Sequence, residues 1–511
     1  MLSTLRRVFS SEWSAPVLVF CVSLVGFLPW LAPGGPRGWD ALPRALNGDE
    51  GTVLYEALRV ANGEVMYRDF FAFQGPVFSW LIALAFTLVD PTVEVAAAVQ
   101  LLISATTAML LTLVVLRVTG RQTLGLAAGL IYASLIVPAF PYAYPHWTGA
   151  AFVCAALVAL LPSQGPPSHL RLVLAGGLVG LGVAAVQSLG PVAIGGLAAV
   201  FFSTRLTQDA RAAIRASLAY AAGGLGVGLP IFLFFAANGA LHRFWWSVFV
   251  WPLKHYTSIN RTTFAENLPD ALGAHAGLDA WLRLPAQAGT VLLVALPLIG
   301  LVGGLAVVAK GFLKQSDPKA LISGWVSLTA VVPLYVAGSR RDVVHLAFLG
   351  AFGLVAFAAV FSQFLANRKA ADATMAATVG FALLCTGVFV WKRQHAAALE
   401  PERMSFRQAW AQSSETAERF LSHVVPGQYA VFGVDGSGGF AYFFSGARNA
   451  TSFTYLPFGW RAKSEYLTPT QWQQAADEIL ERQPLVVVLD AEQWQRLEQV
   501  RPQLIGLYSR R

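Results

Sequence analysis

The sequence predicts an all-α polytopic membrane protein of about eleven transmembrane helices, followed by a small C-terminal soluble α/β domain. Three observations predict it. Of 511 residues, 56% are hydrophobic and 13% charged, with mean hydropathy +0.56, too apolar for a water-soluble chain and too long for a single span. Apolar runs of spanning or near-spanning length recur through residues 1–392. From residue 393 to 511, polar amphipathic stretches alternate with short apolar strands.

The first apolar run, 15–32, follows Arg6 and Arg7. Its core is longer than a signal-peptide h-region and no small-x-small cleavage site follows, so an uncleaved first span is expected. Further candidate spans lie at 94–116, 123–138, 147–161, 172–187, 188–202, 216–237, 288–309, 320–338, 343–365 and 373–391. The continuous stretch around 187 is divided at Gln187-Ser188-Leu189-Gly190-Pro191, where a polar pair and a Gly-Pro step suit a tight turn. A further run, 76–89, makes a helix of about 21 Å, short of the ~30 Å hydrocarbon core, and is expected to lie in the interface.

Leaving that run out fixes the orientation. With the N-terminus in the cytoplasm, the inside loops carry Arg6, Arg7, Arg117, Arg121, Arg171, Arg205, Arg211, Arg215, Lys310, Lys314, Lys319, Arg368 and Lys369, so every inside loop is basic. Lys392 and Arg393, on the outer side, run against this pattern. The net charge of +8 is spread singly over short loops and forms no basic stripe for nucleic acid. Cys21, Cys154 and Cys385 fall inside apolar runs with no paired spacing, which gives neither a disulfide framework nor a zinc site.

The outer segments are then 33–93, 139–146, 238–287 and 339–342, with the tail after residue 392. In the first, Val53, Leu54, Ala57, Leu58 and Ala61 recur at helical spacing while Glu56 and Arg59 lie off that stripe. A short helix lying flat on the bilayer is expected, ended by Asn62-Gly63. The third opens with Arg243-Phe244-Trp245-Trp246, then Phe249 and Trp251, the composition of an aromatic belt at headgroup level. In the tail, helical stretches at 400–424, 469–482 and 491–500 flank strands at 429–434 and 485–489.

Asp49 and Glu50 are adjacent carboxylates at the start of the surface helix. Two readings stand: acids in a first turn cap free backbone N–H groups, and a carboxylate at a membrane mouth can take a proton from an acceptor hydroxyl. Arg340 and Arg341, in a short outer turn that the positive-inside rule leaves unexplained, either hold a phosphate or snorkel to headgroups. Lys254, Tyr256 and Arg261 are polar groups at the same mouth. His146 either orients an acceptor or is a hydrogen-bonded structural residue. Gly433, Gly436, Gly438 and Gly439 lack the spacing of a phosphate loop and read as a turn.

An Asp-Glu pair after span one, an amphipathic helix, Gly63, Tyr67-Arg68-Asp69 and Pro76 opening a short interfacial helix together resemble the GT-C superfamily of polyprenyl-phosphate-sugar-dependent glycosyltransferases, in particular lipid A aminoarabinose transferases and protein O-mannosyltransferases. The resemblance covers residues 1–200 in motif and the remainder in layout. It implies an inverting transferase that moves a sugar from a polyprenyl-phosphate donor to an acceptor hydroxyl. The acceptor could be on a glycan, a lipid or a protein, and the reaction would occur at the outer face of a bacterial inner membrane, with the C-terminal domain extracytoplasmic. Asp49 matches the catalytic acid position, with Glu50 its neighbour. Tyr67, Arg68, Asp69, Gln74, His146, Lys254, Tyr256, Arg261, Arg340 and Arg341 are the expected substrate-binding residues.

Two departures stand out. Relatives place Lys or His before a Pro-Pro pair, where this chain has Phe73-Gln74-Gly75-Pro76, so the phosphate contact must come from elsewhere. Relatives also carry an acid in the second outer loop, which here reads Pro141-Tyr142-Ala143-Tyr144-Pro145-His146-Trp147. No cofactor is expected, and a divalent metal, which wants several oxygen ligands, is not supported. A lipid-linked sugar flippase and a scaffold subunit of an envelope-assembly complex are the alternatives. The absence of an internal repeat and the clustering of acids at the outer rim favour the enzyme.

Overall fold

The computed structural model describes residues 12–28, 48–256, 280–313, 317–336, 343–364, 415–433, 438–454 and 467–508, with residues 263, 269, 272, 380, 408 and 411. The expected span at 373–391, residues Arg261, Arg340 and Arg341, and most of the expected helix at 400–424 lie outside them.

Ten of the eleven candidate spans coincide with helices. These are α1 (Ser14–Phe27), α4 (Val93–Thr119), α5 (Gln122–Ile131), α6 (Pro145–Leu160), α7 (His169–Ala185), α8 (Gly190–Thr207), α9 (Ala210–Ala237), α11 (Ala280–Phe312), α12 (Pro318–Val336) and the pair α13 (Val343–Phe348) and α14 (Gly350–Phe364). Between α1 and α4 are α2 (Gly48–Ala61) and α3 (Pro76–Leu88), and α10 (Leu241–Trp245) follows α9. Among the described residues five stretches are long and apolar enough to cross a membrane, α4, α9 and Gln287–Phe312 among them. The division at Gln187-Ser188-Leu189 is a 3-10 turn, and Pro191 sits in the first turn of α8, where its missing N–H costs nothing.

Two expected spans are not single regular helices. The run 343–365 breaks at Leu349, and the end of α5 relaxes through a π turn, Tyr132–Ile136, into a 3-10 turn, Val137–Ala139. Residues at both breaks meet: Ile136 lies against Gly350, and Phe140 and Trp147 ring the buried Phe348.

In the bundle α1, α5 and α6 pack on α4, α7 packs on α6 and α9, and α8 lies against α9 and α12. The contacts of α11 with α12 and α14 close the far side.

The tail comprises α15 (Glu415–His423), β1 (Tyr429–Phe432), α16 (Gly438–Ser445), β2 (Arg448–Asn449), α17 (Pro469–Arg482), β3 (Val486–Val488), α18 (Ala491–Val500) and α19 (Leu504–Leu507). The strands form a parallel sheet of order β2-β1-β3, with Ala430 opposite both Asn449 and Val486. Thr468 with Gln471, and Asp490 with Gln493, close reciprocal capping boxes that start α17 and α18. Trp472, Ala475, Ile479 and Leu497 fill the core under these helices.

The expected surface helix needs correcting. The α2 helix has no wet face: Glu56 and Arg59, off its apolar stripe, are as buried as the stripe, each 7% exposed. Arg59 is enclosed by the segment after α2, through Glu64, the Asp69 carbonyl and Phe70, and the helix has a second partner. The first face of α2 packs on α3, while α16 of the tail lies across the other. Gly439 and Gly51 bring the two backbones together, and a Cβ on Gly439 would stand 2.2 Å from the Gly51 carbonyl carbon. Tyr442 stacks on Tyr55 with centroids 4.9 Å apart, and the Asn449 N–H donates to the Tyr55 hydroxyl oxygen at 3.0 Å. The glycines at 438 and 439, read as a turn from sequence, thus open a helix built for close approach.

Candidate active site

The site is the first turn of α2 together with the two loops it touches. Asp49 and Glu50 occupy that turn side by side, with opposite exposure: Asp49 is exposed and Glu50 is 0% exposed. Glu50 Oε1 accepts the backbone N–H of Ala143 at 3.2 Å, which ties α2 to the loop between α5 and α6. A buried carboxylate is tolerated where backbone donors satisfy it. The loop is itself fixed from below: Trp147 Nε1–H donates to the Phe140 carbonyl at 2.9 Å, and the Tyr144 N–H donates to Gln100 Oε1 at 3.4 Å.

The segment before α3 forms the facing wall. Gln74 Nε2–H donates to the Tyr144 hydroxyl at 3.3 Å, joining the segment between α2 and α3 to the loop between α5 and α6. Gly75 lies so close to α7 that a Cβ would stand 2.0 Å from the Ala184 carbonyl oxygen, and Gln187 Nε2–H donates to the Phe73 carbonyl at 2.7 Å. The departure Phe73-Gln74-Gly75-Pro76 is therefore a docking step against the bundle, and only glycine fits at 75.

His146, half-buried, sits in an aromatic pile. Its ring stacks on Phe348 (4.4 Å) and Tyr144 (5.2 Å), with the His345 ring 6.0 Å away. Sequence reasoning missed His345. The available signal was a polar residue at the head of an apolar run, directly after the turn holding Arg340 and Arg341.

Tyr67, Arg68 and Asp69 are committed to building the loop. Tyr67 is buried, adopts a left-handed backbone (φ 66°) that side chains rarely take, and donates its hydroxyl to the Gln74 carbonyl at 2.6 Å. Its ring packs edge-on against Phe235 and Phe244. Arg68 pairs with its neighbour Asp69 at 2.8 Å, and Asp69 Oδ2 also accepts the Val65 N–H at 2.7 Å. The Arg68 guanidinium holds the Asp69 carboxyl below its usual range. Arg243 donates to the Arg68 carbonyl at 2.8 Å.

The expected aromatic belt is divided. Trp245 is 51% exposed, as a belt residue is, whereas Phe244 and Trp251 are buried beneath the segment between α2 and α3, where Trp251 meets Phe71 and Phe73. Tyr256 reaches Phe73, one residue from Gln74, and Lys254 is exposed in the same turn. The structure therefore brings Glu50, Gln74, His146 and Tyr256 to one set of adjoining loops, and turns Arg68 away into a local pair. Among the described residues no three His, Cys, Asp or Glu side chains gather as a metal-ligating group.

Behind the acid pair, Arg59 pairs with Glu64 at 2.6 Å, donates to the Asp69 carbonyl at 3.1 Å and lies 4.5 Å over the Phe70 ring. One turn earlier, burial pushes the Glu56 carboxyl up to about 8 from its ordinary 4.5, and nearby Arg59 offsets only part of the rise. The folded chain thus holds a proton that the unfolded chain releases between pH 4.5 and 8. This contribution to stability is fully present below pH 4.5 and lost as pH rises through 8. Glu56→Gln, which keeps the neutral shape, is expected to flatten the fall in thermal stability between pH 6 and 9, and to raise the Tm at pH 9 by roughly 2–5 °C in scanning fluorimetry. Equal slopes for the two proteins would show that Glu56 is ionised in the fold.

No protein-family model matches the sequence, and no curated protein does. Solved structures do. The crystal structure of ArnT from Cupriavidus metallidurans in the apo state superposes with a TM-score of 0.56 at 15% identity, over 94% of this chain and 90% of that one. The same protein bound to undecaprenyl phosphate gives 0.54 at 14% identity, over 95% and 88%. The chain shares the fold of ArnT. The Archaeoglobus fulgidus oligosaccharyltransferase, in complex with zinc and sulfate, gives 0.46 at 15% identity; 86% of this chain aligns with 62% of that longer one.

Proposed function

We propose that this chain is an inverting glycosyltransferase that moves one sugar from a polyprenyl-phosphate donor to an acceptor hydroxyl at the outer face of the cytoplasmic membrane. The observation that carries it is the split pair on α2: one carboxylate buried and anchored, its neighbour exposed at the loop cluster. The ArnT fold supports the reading, since ArnT is a lipid A aminoarabinose transferase and its structure holds undecaprenyl phosphate.

Asp49 takes the proton of the acceptor hydroxyl as that oxygen attacks the anomeric carbon. The bond from that carbon to the phosphate oxygen breaks, and the electron pair leaves with polyprenyl phosphate. One displacement inverts the anomeric centre. Glu50 is the positioning residue, because its bond to Ala143 fixes the turn that carries Asp49. The departing phosphate needs fixed positive charge more than a proton. Lys254, exposed beside Tyr256, is the described cation that can supply it, and Arg261, Arg340 and Arg341 are the others the sequence offers.

Purified protein in proteoliposomes, given polyprenyl-phosphate sugar labelled in the sugar and a membrane extract as acceptor, is expected to yield a labelled conjugate of inverted configuration and free polyprenyl phosphate. Labelled donor that crosses the bilayer with no new bond would make the chain a transporter instead.

A further inference from the structure

A cavity of about 470 Å³ opens at the end of the bundle away from the acid pair. The start of α8 meets the segment between α2 and α3 through Gln187, and the cavity lies at the last turn of α8, roughly 25 Å along the helix. Its walls are Phe202, Arg205 and Thr207 of α8, Phe312 of α11, and Pro318 and Trp325 of α12. Its volume falls in the range of ligand sites.

Three features define what it fits. The first is charge. Arg205 is exposed at the cavity, donates only to the Gln208 carbonyl at 3.3 Å, and pairs with no carboxylate among the described residues. Arg211, Arg215, Lys310 and Lys319 stand at the same end of α9, α11 and α12. The acids there, Asp209 and Asp317, are spent capping helix starts, accepting from Ala212 N (2.7 Å) and Lys319 N (3.1 Å). The second is a donor. The Trp325 indole N–H is buried with no acceptor among the described residues, although its ring forms part of the wall and stacks on Phe202 at 5.9 Å. A buried donor of this kind is costly unless an acceptor arrives.

The third is an apolar track. On α8, Ile194, Leu197, Phe201 and Arg205 follow at helical spacing, so a row of apolar side chains ends in the guanidinium. On α11, Leu298, Val302 and Leu305 are each more than half exposed and lead along the helix to Phe312 at the cavity. Exposed apolar rows on a membrane bundle face acyl chains, and rows that end at a cation describe a ligand with tails and an anionic head.

We propose that this cavity binds the phosphate headgroup of an anionic phospholipid, with Arg205 and the Trp325 N–H as its donors and the chains laid along α8 and α11. The site is separate from the transfer site and stands whether or not the chain is a transferase.

The test uses the full-length protein, delipidated in a neutral detergent, with bound lipid counted by native mass spectrometry. Phosphatidylglycerol is expected to bind about tenfold more tightly than phosphatidylcholine of the same chains, with the preference falling as salt rises. Arg205→Gln is expected to erase that preference and Arg205→Lys to restore part of it. Trp325→Phe, which keeps the ring and removes the N–H, is expected to weaken phosphatidylglycerol several-fold, all three variants keeping wild-type thermal stability. Equal binding of the two lipids overturns the proposal, as does an undiminished preference in Arg205→Gln. Displacement of the lipid by millimolar inorganic phosphate would make the cavity a soluble-anion site and overturns the lipid assignment.

Discussion

Asp49→Asn is expected to lower sugar transfer by about 10²–10⁴-fold and to leave the fold intact. That range is the ordinary worth of a positioned general base, and the amide keeps the size of the carboxylate while removing its basicity. Asp49 is exposed in the first turn of α2, so the substitution disturbs no core. The loss should fall on kcat, with donor binding little changed, because the proton moves only as the new bond forms. The neighbouring acid supplies the contrast. Glu50→Gln retains the size of the side chain and an oxygen that can accept the Ala143 N–H, so it is expected to keep most activity and stability. Glu50→Ala leaves that N–H without its acceptor, which costs about 1–3 kcal/mol and loosens the turn carrying Asp49. Single-turnover rates with labelled donor, beside melting curves of all three variants, check the assignment. A fully active Asp49→Asn would remove the proposed base, and a Glu50→Gln as dead as Asp49→Asn would exchange the two roles.

What could be read in the chain divides by the kind of interaction. Spans were legible because burial in lipid demands length and apolarity together, and the Gly190-Pro191 step marked a helix start that the structure places one residue after a 3-10 turn. The place of the acid pair in the first turn of a helix after the first span was legible. Its anchoring was not, because the partner is the backbone N–H of Ala143, and a backbone donor leaves no trace in residue type. The burial of Glu56 and Arg59 was hidden for a different reason. A hydrophobic stripe reports the face a helix shows to its first partner, whereas the second partner arrives from Asn449 and its neighbours, 394 residues after Tyr55. The break at Leu349 was invisible because an apolar run carries no mark of a turn when neighbouring helices shield it from lipid.

Gly439→Ala tests whether the tail is part of the transfer site. Its added methyl would fall 2.2 Å from the Gly51 carbonyl carbon, 2.3 Å from that carbonyl oxygen and 2.3 Å from Thr52 N. All three atoms are backbone of α2, so no side chain can swing away; α16 must lift or α2 must shift. Either movement loosens the Tyr55–Tyr442 stack and presses on the turn that holds Asp49 and Glu50. Forced overpacking of this kind costs about 1–3 kcal/mol, and a displacement near 1 Å at a reacting group can cost about 10²-fold in rate. Gly439→Ala is therefore expected to lower the Tm by several degrees and transfer by at least tenfold. Gly226→Ala on α9, where nothing lies within 4 Å of the added carbon, is expected to change neither. Were the tail only a tethered acceptor-binding module, Gly439→Ala would raise the KM for acceptor and leave turnover of a small soluble acceptor untouched. A fall in that turnover, with donor affinity preserved, identifies α16 as the element that presses the acid-bearing helix into register.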